Sequence, residues 1–294
     1  MTMNQAVLFT KPVHHLDSAL TPGELDRLTR AYFGDRGFSM VYHHRVTGPD
    51  LAAREVIRQH YLMYSKASYG DIGITEEGKA RFAECFGKTW DAEFEAGRIL
   101  GNPALLASRN MDPHELFSLW NDTSVSKIQA GLLMGWLDSL DCYCINAFYP
   151  AMEANFYHPD TVMDYYVVEF DPAQVSWARF RKEVLGATNA AKADSESFRG
   201  QLYARYRVDY PGRDNFVHGS AGPFEGMVER AIHERDFDLA SNPVGRRLQA
   251  AGLTLEGLAA WKSRQTNAAL GALFDATEEK DTDEILPLLY EVEW

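Results

Sequence analysis

Apolar and polar positions along this 294-residue chain switch repeatedly between a strand period and a helix period. "AVLFTKP" (6–12) is a short β-rich run stopped by Pro12 and predicts a strand. In "TPGELDRLTRAYF" (21–33) Thr21 stands at a cap position, Pro22 at the first helical position and Glu24 in the first turn. Leu25, Leu28 and Tyr32 then recur at helical spacing, so a helix is expected. "GFSMVYHHRV" (37–46) predicts a second strand and "PDLAAREVIRQHYLMY" (49–64) a second helix, so residues 1–64 read β-α-β-α. From about 70 to 137 the texture changes to short helical patterns ("TEEGKARFAECF", "TWDAEFEAGRIL", "DPHELFSLWND") joined by Gly, Asn and Pro. They lead into "KIQAGLLMGWLDSLDCYCINAFY", two apolar runs around Leu137-Asp138-Ser139 that predict a hairpin. "MDYYVVEFD" (163–171) reads as a strand, "AQVSWARFRKEVLG" (173–186) as a helix ended by Gly186, and 223–235 as a helix with Pro223 in its first turn. The remainder, 236–294, reads as a helical tail ("VGRRLQAAG", "TLEGLAAWKSRQ", "TNAALGALFDATEE"), two of whose helices begin at Thr. "EEKDTDE" (278–284) is expected to be a solvated turn. Patterning therefore predicts a mixed βαβ-type core with an interrupting segment.

Composition narrows the function classes. With 46% hydrophobic and 12% aromatic residues the chain can build a sizeable core. A formal net charge of −13 argues against broad binding to nucleic acid or an anionic membrane, while a few converging bases would still hold a phosphate. Three cysteines, Cys85, Cys142 and Cys144, are too few and too uneven for a disulfide framework. Cys142 and Cys144 are read as packing residues on one face of a strand rather than as a metal or redox pair. The opening MTMNQAVLFT lacks a basic segment and a long apolar run, and no stretch reaches the ~18–20 apolar residues of a membrane span, so the expectation is a cytoplasmic protein.

The candidate chemistry centres on "DNFVHGSAGPFEGMVER" (214–230), where one histidine precedes a Gly-Ser pair just ahead of a helix. Gly219 permits close approach of a ligand to the backbone, and Ser220 can donate or accept beside it. Glu229, eleven residues after His218, falls on the following helix, where a carboxylate on one ring nitrogen would leave the other as a nucleophile. That spacing alone leaves catalytic and structural readings of His218 equal. The adjacent pairs His14-His15 and His43-His44 lie on strand-like stretches whose neighbouring side chains face opposite ways. They make poor chelates, and surface or cleft-edge roles are expected.

Several stretches in order resemble the nucleoside diphosphate kinases. "LFTKP" resembles that family's first strand, "HYLMY" (60–64) its tyrosine-bearing segment, and "AFYPAM" (147–152) its phenylalanine-rich helix start. "VLGATNAAKADSESFRG" (184–200) resembles its Gly-Ala-Thr-Asn segment with the following Arg-Gly, and "DNFVHGS" (214–220) its active-site strand end. The last two are the specific ones. The resemblance covers residues 1–64 and 148–235 and implies a longer relative of α/β (α+β) class. Its parts would be a ferredoxin-like βαββαβ core with an antiparallel sheet, a mainly helical insertion at 65–147 near the nucleotide cleft, and a helical C-terminal extension at 236–294.

The resemblance also implies an enzyme that takes the γ-phosphoryl group of a nucleoside triphosphate onto a histidine and passes it to a nucleoside diphosphate. His218 would be the nucleophile and Glu229 its orienting partner; Lys11, Thr188 and Arg199 would hold phosphate oxygens, and Asn215 would contact the sugar. Ser220 belongs to the same set, Tyr61 would neighbour the histidine, and Phe148 would stack on the base, with Met152 on the same helical side and Tyr69 a rival for the stacking position. Mg²⁺ would arrive on the nucleotide phosphates, with no protein ligands required. Three departures are evident. Lys182 stands at the position of a phosphate-binding arginine, Ala221 at that of an acidic residue, and the loop between Arg199 and Asn215 is longer than usual. Because that loop, the insertion and the tail all differ, a homo-oligomer is expected without the family's usual hexamer being assumed. A non-catalytic nucleotide-binding or scaffolding protein, or a phosphotransferase with a specialised acceptor, is the alternative.

Overall fold

A computed structural model of the chain describes residues 1–294, apart from the side chain at position 267. Its strands, in chain order, are β1 (Asn4–Thr10), β2 (Ser39–Thr47), β3 (Ile99–Leu100), β4 (Val125–Gln129), β5 (Leu132–Leu137), β6 (Cys142–Ile145), β7 (Val162–Phe170) and β8 (Val217–Gly219). The chain divides into two units. One comprises Met1–Val56, Phe156–Arg264 and Leu273–Trp294, and the other Ile57–Asn155 and Gln265–Ala272.

The first unit holds a four-stranded sheet in the order β2-β7-β1-β8, with every neighbouring pair antiparallel. The helix Pro22–Gly34 connects β1 to β2, and the helical run from Trp177 to Leu185 lies between β7 and β8, so the connectivity is the βαββαβ of a ferredoxin-like core. Thr21 caps the first helix as expected, its hydroxyl accepting from the Glu24 N–H at 3.2 Å. Alternation along the strands sorts the two faces. Ala6, Leu8, Tyr166 and Val168 pack with Leu25, Phe33, Trp177 and Phe180 in one buried layer. Phe9 and Tyr165 turn the other way, toward the helix Pro223–His233. That helix also carries the C-terminal segment, since Phe224 meets Trp261 and Trp294 with ring centroids 6.0 and 5.8 Å away.

The second unit holds a mixed sheet in the order β3-β6-β5-β4, with β3 and β6 parallel and the other pairs antiparallel. The expected hairpin around Leu137–Ser139 is the β5–β6 pair. A second hairpin, β4–β5, precedes it and turns at Ala130-Gly131, with Gly131 at φ 71°. The interrupting segment is therefore less purely helical than its short periodic patterns suggest. Cys142 and Cys144 are both buried on β6, as packing residues should be, and the Cys144 thiol donates to Asn102 Oδ1 at 3.1 Å.

Three further differences stand out. The helix expected over 49–64 is broken into Gly48–Ala53, Val56–His60 and Leu62–Ser68; Glu55 adopts a left-handed φ of 50° at the first break, and Tyr61 leaves the helical region at the second, with φ −95° and ψ 41°. The helix expected from 173 begins only at Trp177 and becomes a π-helix over Phe180–Leu185, ending at Gly186 with φ 90°. The run 278–284 is a turn only at its start, and Glu279, Lys280, Asp283 and Glu284 are exposed as expected; but Glu278 pairs with Arg181, and Asp281 closes a capping box with Glu284 at the start of the helix Thr282–Tyr290 while accepting from the Trp177 N–H at 2.7 Å.

Candidate functional site

The central histidine is placed by cross-strand register. His218 on β8 lies directly opposite Phe9 on β1, and the two rings stack at 4.5 Å with planes 16° apart, which fixes the imidazole plane. Eleven residues later the helix Pro223–His233 brings Glu229 back under the strand, where its Oε1 sits 2.7 Å from His218 Nε2. The other carboxyl oxygen accepts from the Ser220 hydroxyl at 2.6 Å, and that hydroxyl in turn accepts from the Val7 N–H at 2.9 Å. Strand β1, strand β8 and the helix are thus joined through one serine and one carboxyl group. With the ring proton drawn to Nε2 by Glu229, the lone pair resides on Nδ1.

The turn entering β8 is strained. Phe216, a buried aromatic residue, takes φ 64°, a conformation that costs roughly 1–3 kcal/mol and is found where surrounding structure enforces it. The enforcing contacts are the Lys11 N–H donating to the Phe216 carbonyl at 2.7 Å and the Phe216 ring held between Tyr203 and Tyr206.

Cations surround the imidazole. Lys11 is buried, its ammonium donating to the Arg213 carbonyl at 2.9 Å. Burial first, and then Arg199, push its pKa down to about 7, with Asp214 opposing. Arg199 is also buried, and its guanidinium donates to the Gly186 carbonyl at 2.6 Å and the Val217 carbonyl at 2.8 Å. His218 itself is lowered to about 3, chiefly by burial and then by Lys11, Arg199 and Arg181, with Glu225 the opposing carboxylate. The imidazole is therefore neutral at physiological pH and stands in a field that attracts anions, within a chain of net charge −13.

The structure thus brings His218, Glu229, Ser220, Lys11, Arg199 and Asn215 together. Asn215 is buried just ahead of β8; its Nδ2 donates to the Gly212 carbonyl at 3.4 Å, and its Oδ1 accepts no hydrogen bond among the described residues. Thr188 is exposed on the loop after Gly186, its carbonyl accepting from the Tyr203 hydroxyl at 2.6 Å, and Lys182 is exposed on the π-helix. Tyr61 and Phe148 belong to the second unit, where Phe148 packs against Tyr64 at 5.6 Å as part of a buried cluster with Leu116 and Ala151. Met152 is buried in the same unit, and Tyr69 donates to Glu153 at 2.5 Å. Of the two histidine pairs only His43-His44 lies on a strand, where His43 bonds Asp164 at 2.9 Å while His44 turns to Tyr165 on the other face; His14 and His15 lie in a turn, with their rings 5.3 Å apart, and not on the strand expected for them.

Two residues of the site escape a reading by sequence. Arg181 acts on both His218 and Glu229 and pairs with Glu278, although periodicity and motif matching point to its neighbour Lys182. Both residues lie on the π-helix, where Lys182 is exposed and Arg181 is half-buried. Glu225, one helical turn before Glu229, is singled out by no motif. The long loop 210–214 adds a third contribution, because Arg213 offers Lys11 its carbonyl while its own guanidinium forks onto Asp214 at 2.8 and 2.6 Å.

No protein-family model matches the chain, and no curated protein matches it. Among solved structures it is similar to nucleoside diphosphate kinases. The Aquifex aeolicus enzyme is 12% identical over 78% of this chain and 94% of its own, with a TM-score of 0.39. The Borrelia burgdorferi enzyme, in a transition-state mimic with vanadate and ADP, is 16% identical over 80% and 89%, also at 0.39. A Pyrobaculum aerophilum enzyme is 17% identical over 80% and 97%, with a TM-score of 0.40.

Proposed function

We propose that this chain is a nucleoside diphosphate kinase-like phosphotransferase that moves the γ-phosphoryl group of a nucleoside triphosphate through His218 to a nucleoside diphosphate. The observation that carries the reading is the neutral imidazole held by Glu229 at 2.7 Å amid Lys11, Arg199 and Arg181. Phosphoryl transfer asks for in-line placement and for compensation of oxygen charge, and a fixed imidazole amid cations supports this reading. The Nδ1 lone pair forms a bond to the γ-phosphorus as the bond from that phosphorus to the bridging oxygen breaks, and the diphosphate leaves with the electron pair. In the second half the terminal oxygen of an acceptor diphosphate attacks the same phosphorus and Nδ1 recovers its lone pair. The choice of nucleotides as donor and acceptor rests on the stretches that resemble the family.

The carboxyl groups nearest His218 are Glu225 and Glu229. Both are pushed up to about 8, mainly by burial, which weakens them as ligands for a divalent ion near neutral pH. This fits Mg²⁺ entering on the nucleotide, where it would bridge phosphate oxygens and offset their charge. Lys11, Arg199 and Asn215 would then meet phosphate and sugar directly.

Intact mass after brief incubation with ATP and Mg²⁺ tests the reading. One acid-labile phosphoryl adduct on the wild type, absent from His218→Gln, is expected. Nucleotide binding with no adduct would overturn it and make the chain a nucleotide-binding scaffold.

Lys11 gives a second expected result. A bound phosphate restores the charged form of an ammonium that titrates near pH 7 when the site is open to no anion. Between that value and the higher one of the complex, binding must therefore take up a proton. Calorimetry of ADP binding at pH 8 in two buffers of different ionisation heat should show net uptake that shrinks toward pH 6 and disappears in Lys11→Met. Equal uptake by wild type and variant would remove Lys11 from the phosphate site.

A further inference from the structure

The C-terminal extension returns to the loop that follows His218. The Glu279 N–H donates to the Ala221 carbonyl at 3.0 Å. A Cβ on Gly222 would lie 2.6 Å from the Thr277 carbonyl oxygen and 3.3 Å from Glu278 Cα, so the two backbones meet where a side chain would not fit. Glu279 holds a left-handed φ of 57°, a conformation that persists at a non-glycine residue where neighbouring contacts enforce it. The Lys280 ammonium closes the same turn on the Ala276 carbonyl at 2.7 Å.

This turn delivers Glu278 to Arg181. Glu278 Oε1 pairs with Arg181 Nη1, and Glu279 Oε1 lies 3.6 Å from the same nitrogen. The π-helix that carries Arg181 is itself built against the histidine strand. Leu185 packs on Gly219, where an added Cβ would come within 2.5 Å of Leu185 Cδ2. The Arg181 carbonyl accepts from the Gly186 N–H at 3.0 Å, and the Gly186 carbonyl accepts from Arg199 at 2.6 Å. Arg181 thus belongs to the surroundings of His218, in keeping with its effect on both His218 and Glu229.

An arginine side chain loose in solvent gives up rotamer freedom when it grips a ligand. A partner that fixes it beforehand removes that cost. Glu278 does this through one terminal nitrogen only. Among the described residues no hydrogen bond uses Arg181 Nε or Nη2, the edge with which a guanidinium can fork onto an anion.

We propose that Glu278 is a positioning residue: from the C-terminal extension it holds Arg181 by Nη1 and presents the Nε–Nη2 edge to the phosphoryl group that His218 receives. The proposal deepens the phosphotransferase reading and rests on it. The competing role for two carboxylates on one guanidinium is a plain counter-charge that weakens the pull of Arg181 on anions. The two roles predict opposite results.

Single-turnover phosphorylation by saturating ATP and Mg²⁺, followed by intact mass, separates them. Glu278→Ala should slow the step about tenfold, and Glu278→Gln, which keeps an acceptor for Nη1, by no more than about threefold. Arg181→Ala should slow it by about tenfold or more, and adding Glu278→Ala should cost nothing further, because Glu278 acts through Arg181. Glu278→Ala as fast as the wild type or faster, equal rates in Glu278→Ala and Glu278→Gln, or additive losses in the double variant would each overturn the proposal. A second arm needs no phosphoryl transfer. In ¹⁵N-arginine-labelled protein without nucleotide, hindered rotation about the Nε–Cζ bond should keep the Arg181 Nη1 and Nη2 signals apart. Glu278→Ala should merge them, and Glu278→Gln should keep them separate. Merged signals in the wild type, or separate ones in Glu278→Ala, would overturn the proposal. If no phosphohistidine forms, the phosphotransferase reading falls, and these signals still decide whether Glu278 fixes Arg181.

Discussion

Glu229→Gln and Glu229→Ala should each slow phosphorylation of His218 by about a thousandfold, the scale on which losing the group that fixes a catalytic imidazole acts. In the wild type one carboxyl group accepts from His218 Nε2 at 2.7 Å and from the Ser220 hydroxyl at 2.6 Å. Alanine removes both acceptors, and the imidazole proton then exchanges between Nδ1 and Nε2. Glutamine is almost isosteric yet fails for a different reason. Its amide has one acceptor and one donor end, whereas the His218 ring N–H and the Ser220 hydroxyl both donate to Glu229. If the NH₂ end faces His218 the ring must place its proton on Nδ1, the atom that has to attack. If it faces Ser220, it competes for a hydroxyl that already accepts from Val7. Quenched-flow measurement of phosphoryl uptake from labelled ATP checks this, with nucleotide affinity measured separately. A loss under about tenfold would show that Phe9 stacking alone orients the ring.

How much of this was readable from residues alone follows from how local each cause is. The cap at Thr21, the strand pattern of β1 and β7, and the helix after Pro223 depend on neighbours within one or two turns, and they stand where the periodicity puts them. The separation of His218 from Glu229 is also a local quantity, a strand end plus two helical turns, and it was legible as a distance. What was not legible depends on distant partners or on helix phase. Phe9 meets His218 only through strand pairing across more than two hundred residues. Arg181 is half-buried and paired with Glu278 while its neighbour Lys182 is exposed, on a π-helical stretch that no 3.6-residue template anticipates. The charged run at 278–284 looked solvated because composition cannot show that Arg181, Asn4 and the Trp177 N–H are waiting for its carboxylates. The loop before Asn215 reads from sequence as a feature of assembly, yet Arg213 and Asp214 from it enter the surroundings of Lys11.

Arg199→Ala should lower unfolding stability by about 3–5 kcal/mol, well beyond what a surface guanidinium contributes. Arg199 is 6% exposed and ties the Gly186 carbonyl, at the end of the π-helix, to the Val217 carbonyl on β8, at 2.6 and 2.8 Å. Truncation leaves both carbonyls buried without this donor, and a charge-assisted bond of this kind is worth about 1.5–3 kcal/mol. Arg199→Lys keeps the charge but can reach one carbonyl well, so about half of the loss should return. Urea unfolding without nucleotide measures it; the midpoint should fall while the denaturant slope stays constant, marking a loss of stability rather than a change in the surface exposed. A loss below about 1 kcal/mol would mean that water replaces the guanidinium at both carbonyls. The outcome bears on chemistry as well as folding. If Arg199 both clamps the entrance of β8 and holds a phosphate, then phosphate binding must redistribute its donors among ligand, Gly186 and Val217. The loop carrying Thr188 begins at Gly186, so ligand occupancy would reset that loop through the same side chain.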